Sequence, residues 1–356
     1  MRRSLDRKYA ARDSNMELAR IISMILITVG HFVLLFGMCQ PPDSHFISSA
    51  DISSVPAYFP HIALYSLCIV GVSLFILISG FFQIKLTWKG LFHYIALCVF
   101  YNALTLLADW LFADAFSVAK LIKVFIVSKT VNWFFCAYFW LMLVSPILNA
   151  GLSSLSLPNL RRCVLILFFL NCVSGFLFHN QNLNGFNAYQ FFFLYIVGSW
   201  IRKDSAISGK GRWAYFGLYL ASCLMMSVIA VGMLRFTTHS LDVLYTYNNP
   251  LTVIAAVALF IFFTKLSFKS SLINRIASTV VAALFVQLIV MRVFASYINT
   301  HPAWYIPVYI LVIFLIAFII EYPRKQLTEL LLVALSRKKC GAFISRPIIS
   351  ETPKQP

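Results

Sequence analysis

Charge is what this sequence has least of. Only 12% of its 356 residues are Asp, Glu, Lys or Arg, against about a quarter in an ordinary soluble domain. That is too little polar side chain to cover a water-facing globule. Acidic residues are the scarcer half, 12 against 29 Lys and Arg, which leaves a net charge of +17. Nucleic acid is one partner for such a surplus, but the cations lie between apolar runs of about 20 residues, the length that crosses a bilayer core. There they act as topology signals. The eight cysteines include no CxxC pair, and most fall inside apolar runs, so neither a disulfide framework nor a zinc site is implied. No GxSxG elbow, P-loop or metal-ligand spacing occurs. No cleavable signal peptide is evident, because the first apolar run is too long for one.

What is abundant is apolar surface. Hydrophobic residues make up 60% of the chain and aromatics 16%, with 34 Phe, a composition that suits lipid contact and interfacial belts. Ten apolar runs cover approximately 16–38, 58–82, 90–113, 131–150, 162–178, 187–201, 213–234, 250–267, 277–297 and 303–321. They predict an all-α polytopic membrane protein with about ten transmembrane helices in one bundle. Three parts follow: a cytoplasmic basic arm at 1–15, a ten-helix domain at 16–321 and a basic cytoplasmic tail at 322–356. The half-apolar stretch carrying Lys120, Lys123 and Lys129 predicts an interfacial helix. With ten crossings and both termini in the cytoplasm, 23 of the 29 Lys and Arg fall on the inside, as positive-inside topology requires.

Ionisable side chains at membrane depth are costly, so each is a candidate functional group. The first run holds Glu17, Arg20 and His31. At about 100° per residue, Arg20 and His31 lie only about 20° apart around a helix, and Glu17 lies about 60° from Arg20. One stripe carries all three and should face the protein interior. Two plainer readings stand beside this one. Arg20 snorkels to the interface while pairing with Glu17, and His31 is a packing histidine. Arg292 lies in the outer half of the ninth run and needs a partner or a cavity. His61, His93 and Asp109 lie near helix ends, where interface chemistry accounts for them. His45, His179, His239 and His301 lie in loops and are expected to be solvated.

Further segments share an order with these residues. The second run reads Gly71-Val-Ser-Leu-Phe75-Ile-Leu-Ile-Ser79-Gly80-Phe81, whose Ser79–Gly80 notch admits either a neighbouring backbone or a ligand. Then come Asn132-Trp133-Phe134, Tyr138 and Pro146-Ile-Leu-Asn149, and later Phe192-Phe-Leu-Tyr195-Ile-Val-Gly198 with Ile201-Arg202-Lys203. Together these resemble the acyltransferase-3 family, bacterial integral-membrane acyltransferases that include polysaccharide O-acetyltransferases. The family's first helix carries Arg, ten residues, then His, matched here by Arg20 and His31. Two positions depart from it: Gln287 stands where members often have His, and Asn132 where many have His. Gln287 can hydrogen-bond but cannot shuttle a proton at neutral pH. Some relatives also carry an extracellular hydrolase-like domain that this sequence does not show. The membrane domain or a partner is then expected to complete the transfer.

The resemblance implies O-acetyl transfer from acetyl-CoA, a co-substrate rather than a resident cofactor, to a glycan or lipid-linked saccharide at the cell membrane. It implies that His31, with Glu17, is catalytic, as general base or as transient acetyl carrier. It implies acyl-CoA binding by Arg20, Ser79, Gly80 and Phe81, and acceptor contacts from Trp133, Tyr138 and Arg292. No metal and no nucleic acid enter. A glycolipid transporter or flippase, and a non-catalytic partner of a glycan synthesis complex, are the alternatives. The first would act without acyl-CoA, and the second would tolerate loss of His31.

Overall fold

The computed structural model describes residues 13–40, 45–47, 55–113, 118–125, 132–178, 183–297 and 305–335. Within them the chain is helical. The β structure among the described residues is one two-residue pairing, Cys39–Gln40 (β1) with His45–Phe46 (β2). The helices are α1 (Ser14–Val33), α2 (Val55–Cys68), α3 (Gly71–Phe82), α4 (Trp88–Ala113), α5 (Val118–Val124), α6 (Trp133–Ser154) and α7 (Leu157–Leu177). They continue with α8 (Ala188–Lys203), α9 (Arg212–Phe236), α10 (Pro250–Thr264), α11 (Ser271–Ala277), α12 (Val280–Tyr297) and α13 (Tyr305–Leu335).

Each of the ten apolar runs falls on helix, but fewer than ten helices are long enough to cross a bilayer alone. Among the described residues seven qualify by length and apolarity, or eight if α11 and α12, bent by 50° at their junction, count as one span. The helices α8 and α10, at 16 and 15 residues, fall short of the roughly 20 that a 30 Å core asks for. Both are enclosed by other helices: α8 packs on α3, α6 and α7, and α10 on α3, α9 and α1. A helix wrapped in protein does not have to match the lipid thickness along its own length. The 2–3 pairing is continuous in a different way, because α2 and α3 are joined by Ile69–Val70 and together make one 28-residue span.

The core centres on α3, whose Leu74, Ile76 and Leu77 are fully buried. Large apolar side chains are exposed instead on α4, α6, α7 and α13, among them Leu111, Ile147, Leu165 and Leu315. With apolar groups turned outward on so many peripheral helices, this is a multi-pass membrane protein. The stretch expected at the interface contains α5, a seven-residue helix with Leu121 and Ile122 exposed. The side chains of Lys120 and Lys123, and the whole of Lys129, lie outside the described residues.

Two local features position the site. The first helix is pinned at its start: the Ser270 backbone N–H donates to Ser14 Oγ at 2.8 Å, and Asn15 Nδ2 donates to the Phe263 carbonyl at 3.1 Å. At its other end α1 passes into a π-helical turn, Leu34–Met38, an irregularity that recurs at functional sites. The last helix does not stop at residue 321. It runs on to Leu335 through Pro323, because Arg324 grips Glu321 at 2.7 and 2.8 Å and Tyr101 of α4 donates to the same carboxylate at 3.1 Å.

Candidate active site

Histidine 31 borders a cavity of about 130 Å³. Its walls come from α1 (Leu26, Ile27, Gly30) and the turn after it (Leu34), α2 (Tyr65, Cys68), the start of α3 (Val72), Trp133 at the start of α6, and two loops carrying Asn184, Phe186, Asp242, Tyr245 and Tyr247. The imidazole Nδ1 is buried and has no hydrogen-bond partner among the described residues. Gln287 of α12 hydrogen-bonds the ring and accepts from Thr28 Oγ1 at 3.2 Å. The Gln287 carbonyl in turn accepts from the Tyr309 hydroxyl at 3.4 Å. The residue that replaces a family histidine therefore stands beside His31 and holds it. It fixes ring position without offering a second titratable group.

The loops of the cavity are braced by backbone bonds. Tyr247 N–H donates to the Asn184 carbonyl at 3.0 Å, across a turn in which Asn184 and Gly185 both have positive φ, 59° and 78°. A Cβ on Gly185 would lie 2.8 Å from the Asn248 nitrogen, so only glycine fits there. Leu241 N–H donates to Ile47 and Ile47 N–H to Met38, which ties the 241–249 loop to the end of α1. Asn132, the other departure from the family pattern, caps α6: its Oδ1 accepts from the Phe134 and Phe135 N–H groups at 3.1 and 3.3 Å. Loss of that cap would cost about 1 kcal/mol.

Arg20 stands at the far end of α1. It pairs with Glu17 at 2.7 Å, its side chain one-third exposed. The pair lies roughly 16 Å along the axis from His31, at 1.5 Å per residue. Glu17, expected with His31 in the chemistry, is about 21 Å from it on the same count, so its partner is Arg20 rather than the imidazole. The hydroxyl of Tyr138 in α6 shares a hydrogen bond with Ser79 of α3 at 3.2 Å. Between Tyr138 and the cavity, Phe134 stacks on Tyr138 with centroids 6.1 Å apart and meets Trp133 edge-on at 6.1 Å. One aromatic strip of α6 thus runs from the Ser79 contact to the cavity at His31.

The notch at Ser79–Gly80 is filled. A Cβ on Gly80 would fall 2.1 Å from the Tyr195 carbonyl oxygen, and one on Gly198 would fall 2.3 Å from that of Leu77. These two glycines let α3 and α8 touch backbone to backbone, and Ser199 Oγ donates to the Gly80 carbonyl at 2.8 Å. Gly80 is a packing residue, not a wall of open space. Phe81 beside it packs edge-on against Phe260 at 5.6 Å. Arg292 lies in α12, its side chain outside the described residues.

Two motifs of the sequence converge just past α3. Tyr195 donates to Asn149 Oδ1 at 2.7 Å and accepts from Ile84 N–H at 2.8 Å, while Asn149 Nδ2 donates to the Ile84 carbonyl at 2.9 Å. They hold the chain where Gln83 turns with a φ of 58°, a conformation uncommon for any residue but glycine. Beyond it, Asp204 receives both Arg161 nitrogens at 2.6 and 2.7 Å. The Arg161 guanidinium holds the Asp204 carboxyl at about 2, with the Trp200 and Ala206 N–H groups adding to it. This latch joins α7 to the end of α8.

An arginine at one end of the first helix and a histidine beside a cavity at the other, ten residues between them, is the arrangement the sequence led one to expect. The pattern described as an acyltransferase domain matches residues 13–322. The chain belongs to the acyltransferase-3 family. The match begins at the residue that precedes α1 and ends inside α13, so it takes in His31, Arg20 and every wall of the cavity. No curated protein and no solved structure matches the chain. As a member of this family the protein is a membrane acyltransferase.

Reading the sequence alone missed Asn184, Phe186, Asp242, Tyr245 and Tyr247. They sit in loops with no helical period to reveal them. The cluster Tyr245-Thr-Tyr247-Asn-Asn249-Pro250, dense in aromatics and amides before a helix, was the available signal. Among the described residues, no group of three or more His, Cys, Asp or Glu is placed to hold a metal.

Proposed function

We propose that this acyltransferase moves an acetyl group from acetyl-CoA to a hydroxyl of a cell-surface polysaccharide or its lipid-linked precursor. The observation that carries the reading is His31 itself, which borders the cavity and whose buried Nδ1 has no partner among the described residues, on the same helix as Arg20. In this scheme Nδ1 removes the proton of the sugar hydroxyl as its oxygen attacks the acetyl carbonyl. The new C–O ester bond forms, the C–S bond breaks, and the imidazolium returns its proton to the departing CoA thiolate. General base catalysis of this kind contributes typically about 10²–10⁴ in rate. Gln287 is the positioning residue for the ring. Arg20 spends one donor on Glu17, and its planar fork has others for CoA phosphate.

The chain in this reading crosses the cell membrane ten times with both termini in the cytoplasm, and acetyl-CoA enters at the Arg20 end. An extended pantetheine arm along the Phe134–Tyr138 strip covers the roughly 16 Å to His31, about half of a ~30 Å core. Reporters fused after His45 or Asn184 should then read as external, and one after Ser205 as cytoplasmic. The deciding experiment is mass spectrometry of surface glycans with and without the gene. A loss of 42 Da per modified sugar, on the order expected for one acetyl group, supports the reading, and an unchanged glycan mass overturns it.

A further inference from the structure

The cavity at His31 has a second recognisable half. Trp133, Phe186 and Tyr247 form a collar, with centroid separations of 4.9 Å for Trp133–Phe186, 5.5 Å for Trp133–Tyr247 and 4.8 Å for Phe186–Tyr247. All three are only half-buried, unlike the fully buried rings of the core such as Phe191 and Tyr195. Their polar tips are unspent: neither the Trp133 indole N–H nor the Tyr247 hydroxyl bonds to a described residue. The side chains of Asn184 and Asp242 are likewise unpaired among the described residues, and both line the same space. Asp242 is itself exposed, in a short turn whose first residue, Leu241, is fully buried. It is the only carboxylate among the lining residues, and no Lys or Arg lines the cavity.

Aromatic faces beside unpaired donors and acceptors of both kinds do not suit an alkyl chain, which offers nothing to the polar tips. They suit a ring with apolar C–H faces and hydroxyls at its rim. A carboxylate with no Lys or Arg beside it in the lining accepts hydrogen bonds from such hydroxyls and repels a second anion at close range. We infer that this half of the cavity is an acceptor subsite for an uncharged sugar ring, stacked on the Trp133–Phe186–Tyr247 collar, with Asp242 reading its hydroxyls and rejecting acidic sugars. The chemistry performed on that sugar rests on the acetyl-transfer reading, whereas its binding does not.

The test uses the full chain in lipid nanodiscs and four probes: 4-nitrophenyl glucoside and galactoside, and the matching glucuronide and galacturonide. Binding is read without acyl-CoA, as quenching of tryptophan fluorescence by the nitrophenyl group, and transfer is read separately with labelled acetyl-CoA. The neutral probes should bind at least about tenfold more tightly than their acidic counterparts, the size of one lost charge-assisted hydrogen bond. Asp242→Asn should collapse that ratio toward one, mainly by admitting the acidic sugars, with the melting temperature unchanged. Tyr247→Phe, which keeps the ring, should weaken neutral-sugar binding severalfold. Equal binding of both classes by the unaltered protein, or a ratio indifferent to Asp242→Asn, overturns the subsite. Selective binding without transfer leaves the subsite standing and removes the acetyl-transfer reading. Transfer with a preference that ignores Asp242 does the reverse. Absence of both binding and transfer with all four probes overturns the subsite.

Discussion

Gly80→Ala separates two meanings of the same motif. If Gly80 bordered a donor channel, an added methyl would crowd the pantetheine and raise KM for acetyl-CoA while the protein stayed intact. The contact with α8 makes a different prediction. The new Cβ would lie 2.1 Å from the Tyr195 carbonyl oxygen and 2.7 Å from its Cα, atoms of a helix backbone that has no rotamer to change. An ordinary carbon–oxygen contact needs about 3.4 Å, so α3 and α8 must separate by roughly 1 Å over their closest approach. Overpacking of this kind costs about 1–3 kcal/mol. Separation also stretches the 2.8 Å bond from Ser199 to the Gly80 carbonyl, a further loss of about 1 kcal/mol. A total of roughly 2–4 kcal/mol should lower the melting temperature in detergent by about 5 °C or more. Thermal scanning of the purified variant, with acetyl-CoA KM measured on the fraction that stays folded, gives both readouts. Gly198→Ala, 2.3 Å from the Leu77 oxygen, should behave alike, and Gly217→Ala, with open space around its Cβ position, should not. A Gly80→Ala protein that melts normally but needs more acetyl-CoA would refute the packing argument.

Three further outcomes follow from the same geometry. His31→Ala should lower glycan acetylation by about 10²–10⁴ at normal membrane protein levels, while Arg20→Lys, which keeps the charge and loses the fork, should raise acetyl-CoA KM more than it lowers kcat; wild-type activity in His31→Ala would sink the base assignment. Gln287→Leu removes the bonds to His31 and Thr28 and should cost about 10–100-fold in kcat with KM little changed, measured as steady-state kinetics; an equal loss from Thr28→Val alone would move the positioning role to Thr28. Asp204, held at about 2 by Arg161, lies below the ordinary aspartate value near 4, so its stabilising contribution is present above pH ~4 and is lost as pH falls toward ~2. The melting-temperature gap between the unaltered protein and Asp204→Asn should therefore shrink across that window, and a gap constant from pH 6 to pH 2 would contradict it.

Much of the architecture was legible without coordinates, because lipid imposes a simple rule. Every backbone group in the hydrocarbon must bond within its own segment, so an apolar run of sufficient length is a helix. All ten runs proved helical for that reason. Spacing along a helix is equally rigid, which is why Arg20 and His31 could be put on one face and roughly 16 Å apart from their numbers alone. The same arithmetic put Glu17 three residues from Arg20, within pairing reach, and the folded chain has that pair at 2.7 Å.

Periodicity could not decide what lies between helices or which helix fills a gap. Ser79–Gly80 reads alike whether a ligand or a backbone enters, and only the approach of Tyr195 to Gly80 settles it. The short helices α8 and α10 gave the hydropathy of spans, yet enclosure by neighbours frees them from spanning length. Asn132 and Gln287 looked like losses of family histidines; in the folded chain one caps α6 and the other holds His31. The cavity itself is built from α1, α2, α3, α6 and two loops distant in sequence. Local sequence determines helices because their hydrogen bonds close within four residues, whereas a cavity exists only where separate segments meet and leave a space that none of them encodes alone.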